Sequence, residues 1–132
     1  DLFCNQVEYH PFLSQAKLLD RTRRAGMLLN AYQPIARGKV FGSEVLNGIG
    51  RRYGKSPAQV ALRWLIQQDK VGAIPRSSRP ENLRANIEIF DFELTSEEMA
   101  AVHGLASGYR ISHFDWAPVW DQSTPPREEG AR

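Results

Sequence analysis

The chain has 132 residues, 42% of them hydrophobic, and 17 basic side chains against 15 acidic ones give a formal net charge of +2. That is enough for one modest globular domain. The charge is too small and too scattered for a nucleic-acid surface, and no apolar run approaches the ~20 residues that span a bilayer. The single cysteine, Cys4, excludes an internal disulfide, fits the reducing cytoplasm and reads as a small buried strand residue.

Leu2 to Tyr9 alternates, with Phe3, Asn5, Val7 and Tyr9 on one face and Cys4, Gln6 and Glu8 on the other. This predicts a strand whose polar face meets solvent or lines a pocket, ended by Pro11. Ser14 is placed to cap a helix to about Arg24, with Ala16, Leu18 and Leu19 inward and Gly26 as its stop. Met27 to Tyr32 predicts a second strand, after which Pro34 and Gly38 forbid immediate helix. Val45, Leu46, Ile49 and Tyr53 share one face of a helix that starts near Glu44 and closes at Gly54. Ser56-Pro57-Ala58-Gln59 is a capping box with a first-turn proline, and the helix it opens turns Val60, Ala61, Trp64 and Leu65 inward as far as about Gln68.

Val71 to Pro75 is entirely apolar and predicts a third strand with helices on its outer side. It runs straight into Arg76-Ser77-Ser78-Arg79, and Pro80 marks the first turn of a helix to about Ile87. The free N–H groups of that turn, two hydroxyls and two guanidiniums would converge on a phosphate; the plainer reading is an ordinary loop with solvated arginines. An aromatic turn, Phe90-Asp91-Phe92, precedes a second capping box at Thr95-Ser96-Glu97-Glu98, whose helix turns Met99, Val102 and Leu105 inward. From Gly108 the tail is aromatic and irregular, and Ser123 to Arg132 reads as a disordered end. Alternating strands and helices make an α/β chain with a parallel sheet, but three strands cannot close a barrel of eight and ~250 residues.

Asn5-Gln6-Val7-Glu8-Tyr9-His10-Pro11 resembles a motif of the aldo-keto reductases. Ala31-Tyr32-Gln33-Pro34-Ile35, Ser56 to Trp64, Ile74-Pro75-Arg76-Ser77-Ser78 with Asn86, and Phe90-Asp91-Phe92-Glu93-Leu94 continue the resemblance in order over about residues 4–105. Within the family the chain looks most like the bacterial branch of 2,5-diketo-D-gluconate and methylglyoxal reductases. The resemblance implies a (β/α)8 TIM barrel, of which residues 1–108 match strands six to eight with their helices and residues 109–132 match the C-terminal tail. Asp1 rather than Met opens the sequence, and we expect a fragment or an incompletely recorded chain.

The family's catalytic Asp, Tyr, Lys and His come from its first four strands and have no counterparts here, so no catalytic residue is assigned and the chain alone is expected to be inactive. Tyr9 and His10 are suitable acid/base types for carbonyl reduction, yet they stand at ordinary strand-end positions of the matched motif. No metal site is expected. The resemblance does imply part of an NADPH/NADP site. Gln6 would hydrogen-bond the nicotinamide carboxamide and Tyr32 would stack on its ring, with a core-satisfied glutamine and a packed tyrosine as the alternatives. Gln33, Pro34, Ile35 and Arg37 would cross the pyrophosphate, although Gln33 and Arg37 replace frequent hydroxyl residues. Arg76, Ser77 and Ser78 would surround the adenosine 2′-phosphate, Arg76 standing where lysine is usual and preserving the NADP preference through its two-pronged grip. Asn82 and Ala85 depart from the family's arginine and acid; Arg79 is expected to compensate, Asn86 is retained, and Arg84 reads as a solvated face residue. Trp116 and Trp120 read as substrate-pocket walls or as packing against the outside of the barrel.

These residues fit part of an NADPH-dependent reductase of a small aldehyde or ketone, such as a 2,5-diketo acid or methylglyoxal. Neither nucleic acid nor membrane is an expected partner, and the isolated piece would self-associate or need the N-terminal half. A different class stays open: a non-catalytic half-barrel that binds nucleotides or pairs with itself through its open sheet edges.

Overall fold

The computed structural model describes residues 2–119. Strands β1 (Cys4–Glu8), β2 (Leu28–Tyr32) and β3 (Val71–Ile74) form one parallel sheet in that order. Helix α1 (Ala16–Arg24) carries the chain from β1 to β2. A 3-10 segment (Ala36–Gly42), α2 (Glu44–Tyr53) and α3 (Pro57–Ile66) carry it to β3, and α4 (Pro80–Ile87) and α5 (Ser96–His103) follow. Parallel pairing is what such helical returns produce.

The register explains how the sheet is used. Asn5 pairs with Leu29 and Val7 with Ala31, while Leu29 and Ala31 pair in turn with Val71 and Ala73. This face packs against Leu46 and Ile49 of α2 and Val60, Ala61, Trp64 and Leu65 of α3. Trp64, 2% exposed, is the largest of these side chains and meets the edges of Tyr9 and His103 at centroid distances of 5.2 and 5.1 Å. Each such large apolar group contributes about 1.5–3 kcal/mol on burial. The opposite face bears the ranks Gln6, Asn30, Gly72 and Glu8, Tyr32, Ile74; among the described residues no helix covers it, and the chain after α5 encloses only its Glu8.

Both capping boxes form, at Ser56 with Gln59 and at Thr95 with Glu98, and α4 begins at Pro80. Several expectations need correction. Cys4 is exposed because it lies on the bare face. The N-cap of α1 is Gln15, whose amide donates to the Glu8 carbonyl at 2.7 Å, while Ser14 Oγ accepts from Ala16 N–H at 3.3 Å. The buried side of α1 is Leu19 and Thr22, the latter returning its hydroxyl to the Leu19 carbonyl. Val45 is 38% exposed because α3 covers α2 on the side of Leu46 and Ile49. Helix α3 ends at Ile66, and Gln68 folds back to donate to the Trp64 carbonyl and accept from the Tyr9 hydroxyl.

Helix α4 buries none of its residues; Leu83 and Ile87 stay exposed. Polar clamps hold it instead. Gln59 donates to the carbonyls of Ala85 and Glu88 at 3.0 and 3.2 Å, and Lys55 reaches Glu88 O at 2.9 Å and the Asp91 carboxylate at 2.8 Å.

Beyond α5 the described chain has neither helix nor strand, yet it is fastened. The N–H groups of Ser107 and Tyr109 donate to the Phe12 carbonyl at 3.1 Å each. Those of Ile111 and Ser112 donate to the two oxygens of the Glu8 carboxylate, both at 2.7 Å. The Glu8 and His10 side chains are fully enclosed, with His10 Nε2 2.9 Å from Glu8 Oε1. His10 Nδ1 accepts the Phe12 N–H at 3.3 Å, which leaves the imidazole proton on Nε2, donating to Glu8. Burial lowers the His10 pKa and keeps the ring neutral, against the pull of Glu8 and with a smaller push from Arg110. Burial pushes Glu8 upward, but the Ile111 and Ser112 N–H groups and His10 outweigh it, and the carboxyl titrates below its ordinary 4.5.

A carboxylate with a lowered folded pKa gives stability that is fully present above its ordinary value and is lost as pH falls through the folded value. Glu8→Gln is therefore expected to cost about 1–3 kcal/mol at neutral pH, measured as a lower urea midpoint, because it removes the charge and strands a buried donor. The gap between wild type and variant should narrow on acidification below 4.5; a constant gap contradicts the assignment.

Candidate functional site

Parallel strands deliver their C-terminal ends to one edge of a sheet, where ligands of open α/β folds bind. Tyr32 is the last residue of β2, between Glu8 of β1 and Ile74 of β3. Its ring is half-buried, and among the described residues it makes no ring contact or side-chain hydrogen bond. Gln6 lies one rank earlier on the same bare face, exposed, and among the described residues its amide has no partner. Neither residue is spent inside the core.

The loop after Tyr32 is conformationally costly. Gln33, Ala36 and Arg37 hold left-handed φ values of 52°, 48° and 50°, and Gly38 holds 90°. A side chain in that region costs roughly 1–2 kcal/mol per residue, a load that is commonly kept where a backbone must present itself to a ligand. Two turn hydrogen bonds of 2.9 Å, Ala36 N–H to Gln33 O and Gly38 N–H to Ile35 O, secure the shape, with Pro34 and Ala36 buried beneath. Gln33 Oε1 is buried without a hydrogen-bond partner. An unmet buried amide atom costs about 1–3 kcal/mol, so this loop holds a polar group that a ligand could satisfy. Arg37 is exposed and unpaired among the described residues.

Past β3, Arg79 is the N-cap of α4, and Ser77 Oγ accepts its N–H at 3.1 Å. The Ser77 hydroxyl itself has only a long 3.5 Å approach to the Arg79 carbonyl. The guanidiniums of Arg76 and Arg79 are exposed and have no partner among the described residues, Ser78 is exposed beside them, and Asn86 is half-buried on α4. Glu81 occupies the first turn, where a carboxylate suits the helix dipole. Gln6, Tyr32, the 33–38 segment and Arg76 to Arg79 thus all belong to the C-terminal edge of the sheet or the strand beside it, with three unpaired guanidiniums favouring an anion.

Trp116 is not gathered into this edge. It is 79% exposed and stacks on Phe114 at 5.1 Å with the rings parallel to within 1°. Trp120 lies outside the described residues. Tyr9 points to the helix side and donates to Gln68 at 2.8 Å, with burial raising its pKa, whereas His10 is committed to Glu8. The two do not form an acid–base pair directed at the bare face. Sequence reasoning missed two groups. One is Glu8, whose only sequence signal is its alternation in phase with Gln6. The other is Lys39, whose Nζ lies 4.6 Å from the Tyr109 ring centroid and 5.5 Å from that of Phe12.

The model of the aldo/keto reductase family matches residues 1–107. An aldo-keto reductase of Mycobacterium sp. (strain MCS) is 43% identical over 107 residues, which are 81% of this chain and 38% of that protein. An uncharacterized oxidoreductase of Schizosaccharomyces pombe is 39% identical over 114 residues, 86% of this chain and 40% of its own. Among solved structures, a putative 2,5-diketo-D-gluconic acid reductase B superposes with a TM-score of 0.86 at 49% identity, over 90% of this chain and 43% of that one. A variant of Gox0644 in complex with NADPH superposes with a TM-score of 0.79 at 28% identity, over 83% of this chain and 41% of its own. The chain spans about two fifths of the length of these relatives. The motifs of its three strand ends, the parallel βα order and the family match over 107 residues agree, and the chain belongs to the aldo/keto reductase family.

Proposed function

We propose that this chain carries the C-terminal part of the cofactor site of an NADPH-dependent carbonyl reductase. The observation that carries the reading is the gathering of unengaged binding groups at one sheet edge: the Gln6 amide, the Tyr32 ring, a left-handed loop with the partnerless Gln33 Oε1, and the unpaired Arg76 and Arg79. The related Gox0644 variant, crystallised in complex with NADPH, supports the choice of cofactor.

Bound there, NADPH supplies a hydride to a carbonyl carbon. The part of these residues is to bind and orient. Tyr32 presents a flat apolar face to the nicotinamide ring. The Gln6 amide both donates and accepts, which matches a carboxamide. Gln33 to Arg37 cross the pyrophosphate with backbone N–H groups and one guanidinium. Arg76, Ser77, Ser78 and Arg79 receive the 2′-phosphate, and Asn86 borders the adenosine. The proton donor and its partners belong to the earlier strands of the barrel, so the whole reaction needs that part as well. The substrate is a small aldehyde or ketone; a 2,5-diketo acid or methylglyoxal fits the branch that the chain resembles. A cytoplasmic setting suits an exposed, unpaired Cys4. Among the described residues no helix is long and apolar enough to cross a membrane.

A second reading draws on the sheet edges: among the described residues β1 and β3 are each paired on one side only. A self-associating, non-catalytic module would sediment as a stable dimer with or without nucleotide.

Arg76→Ala is expected to weaken NADPH binding roughly tenfold and to leave NADH binding unchanged, since one charge-assisted phosphate contact is lost. Fluorescence titration with both nucleotides measures this, and an equal loss for the two defeats the 2′-phosphate assignment. The 132-residue chain mixed with NADPH and methylglyoxal is expected to leave the NADPH absorbance unchanged. Turnover would place the proton donor within this chain.

A further inference from the structure

The left-handed loop and the C-terminal tail meet at one side chain. Lys39 follows Gly38 directly in the 3-10 segment, and its ammonium faces the rings of Tyr109 and Phe12 at 4.6 and 5.5 Å. Among the described residues it has no carboxylate partner, so nothing competes with the two rings for its charge. Phe12 is itself part of the tail's attachment: its carbonyl accepts the N–H groups of Ser107 and Tyr109. Two and three residues further on, Ile111 and Ser112 are bound to Glu8.

The linkage between loop and ammonium has little slack. Gln33, Ala36, Arg37 and Gly38 take up the left-handed conformations, the turn bonds Ala36 N–H to Gln33 O and Gly38 N–H to Ile35 O close the backbone, and Val40 is fully buried just past Lys39. A change in the conformation of Arg37 and Gly38 therefore redirects the Lys39 side chain instead of being absorbed along the segment. The other anchors of the tail, at Phe12 and Glu8, belong to β1 and the turn after it.

We propose that Lys39 is a positioning residue that links the Gln33–Gly38 loop to the tail, so that a dinucleotide pyrophosphate held by the loop also tightens the seating of Tyr109, Ile111 and Ser112. This rests on the loop being the pyrophosphate crossing proposed above. Linkage makes the effect reciprocal: a seated tail raises the affinity of the loop for the dinucleotide by the same factor.

Amide hydrogen exchange on the chain tests it, with wild type, Lys39→Met and Lys39→Arg, each with and without millimolar NADPH. Met keeps the aliphatic bulk and removes the charge, whereas Arg keeps a cation that stacks on aromatic rings. Without nucleotide, Lys39→Met should speed exchange at Tyr109, Ile111 and Ser112 about two- to fivefold, and Lys39→Arg should restore wild-type rates. NADPH should slow loop and tail amides together in wild type and only loop amides in Lys39→Met. Unchanged tail exchange in Lys39→Met overturns the proposal, as does equal NADPH protection of the tail in both proteins. Protection of the wild-type loop without the tail overturns the linkage and leaves the cofactor reading standing; protection of neither overturns both.

Discussion

Helices α1 to α3 bury only one face of the β1-β2-β3 sheet, and the rest of the architecture follows from that asymmetry. Leu29, Ala31 and Val71 point into the core around Trp64, so the alternate residues Gln6, Asn30 and Tyr32 must point the other way. Strand pleating thus separates the residues of the apolar core from those of the opposite face within five-residue segments. It also brings Gln6 and Tyr32 onto one surface although they lie on different strands. The parallel order then delivers both loops that carry charge, after β2 and after β3, to the same edge.

Different forces hold the pieces around that edge. The sheet and α3 rest on apolar burial, the least specific and most cooperative term. Helix α4, which follows the Arg76–Arg79 segment, contributes nothing to the core and is placed by Gln59 and Lys55. A helix held by side-chain hydrogen bonds opens at lower free energy than one packed by side-chain volume, which suits the ligand-accepting role proposed for its mouth.

Much of this arrangement was legible in the sequence because local chemistry and tertiary context agreed. The capping boxes at Ser56 and Thr95, Pro80 at a first turn and the period-two run through β1 are signals contained within a few residues, and the structure keeps them. The misplacements arose where context decides. Cys4 looks like a core residue until one knows that its face is uncovered. Ser14 is a better capping residue than Gln15, yet Gln15 is placed by the long-range bond to the Glu8 carbonyl. The left-handed run at Gln33, Ala36 and Arg37 left no mark, because these residue types do not favour that conformation. Nor could the bonds of Glu8 to Ile111 and Ser112 or the approach of Lys39 to Tyr109 be read, since these partners lie in a tail without periodicity, far along the chain.

The Glu8 carboxylate binds β1 to the backbone that follows α5. Truncation of the chain ahead of Ile111 would leave an enclosed anion with only His10 to answer it. The damage from clipping the chain there would then be felt first about a hundred residues earlier in the sequence, in the strand that carries Gln6.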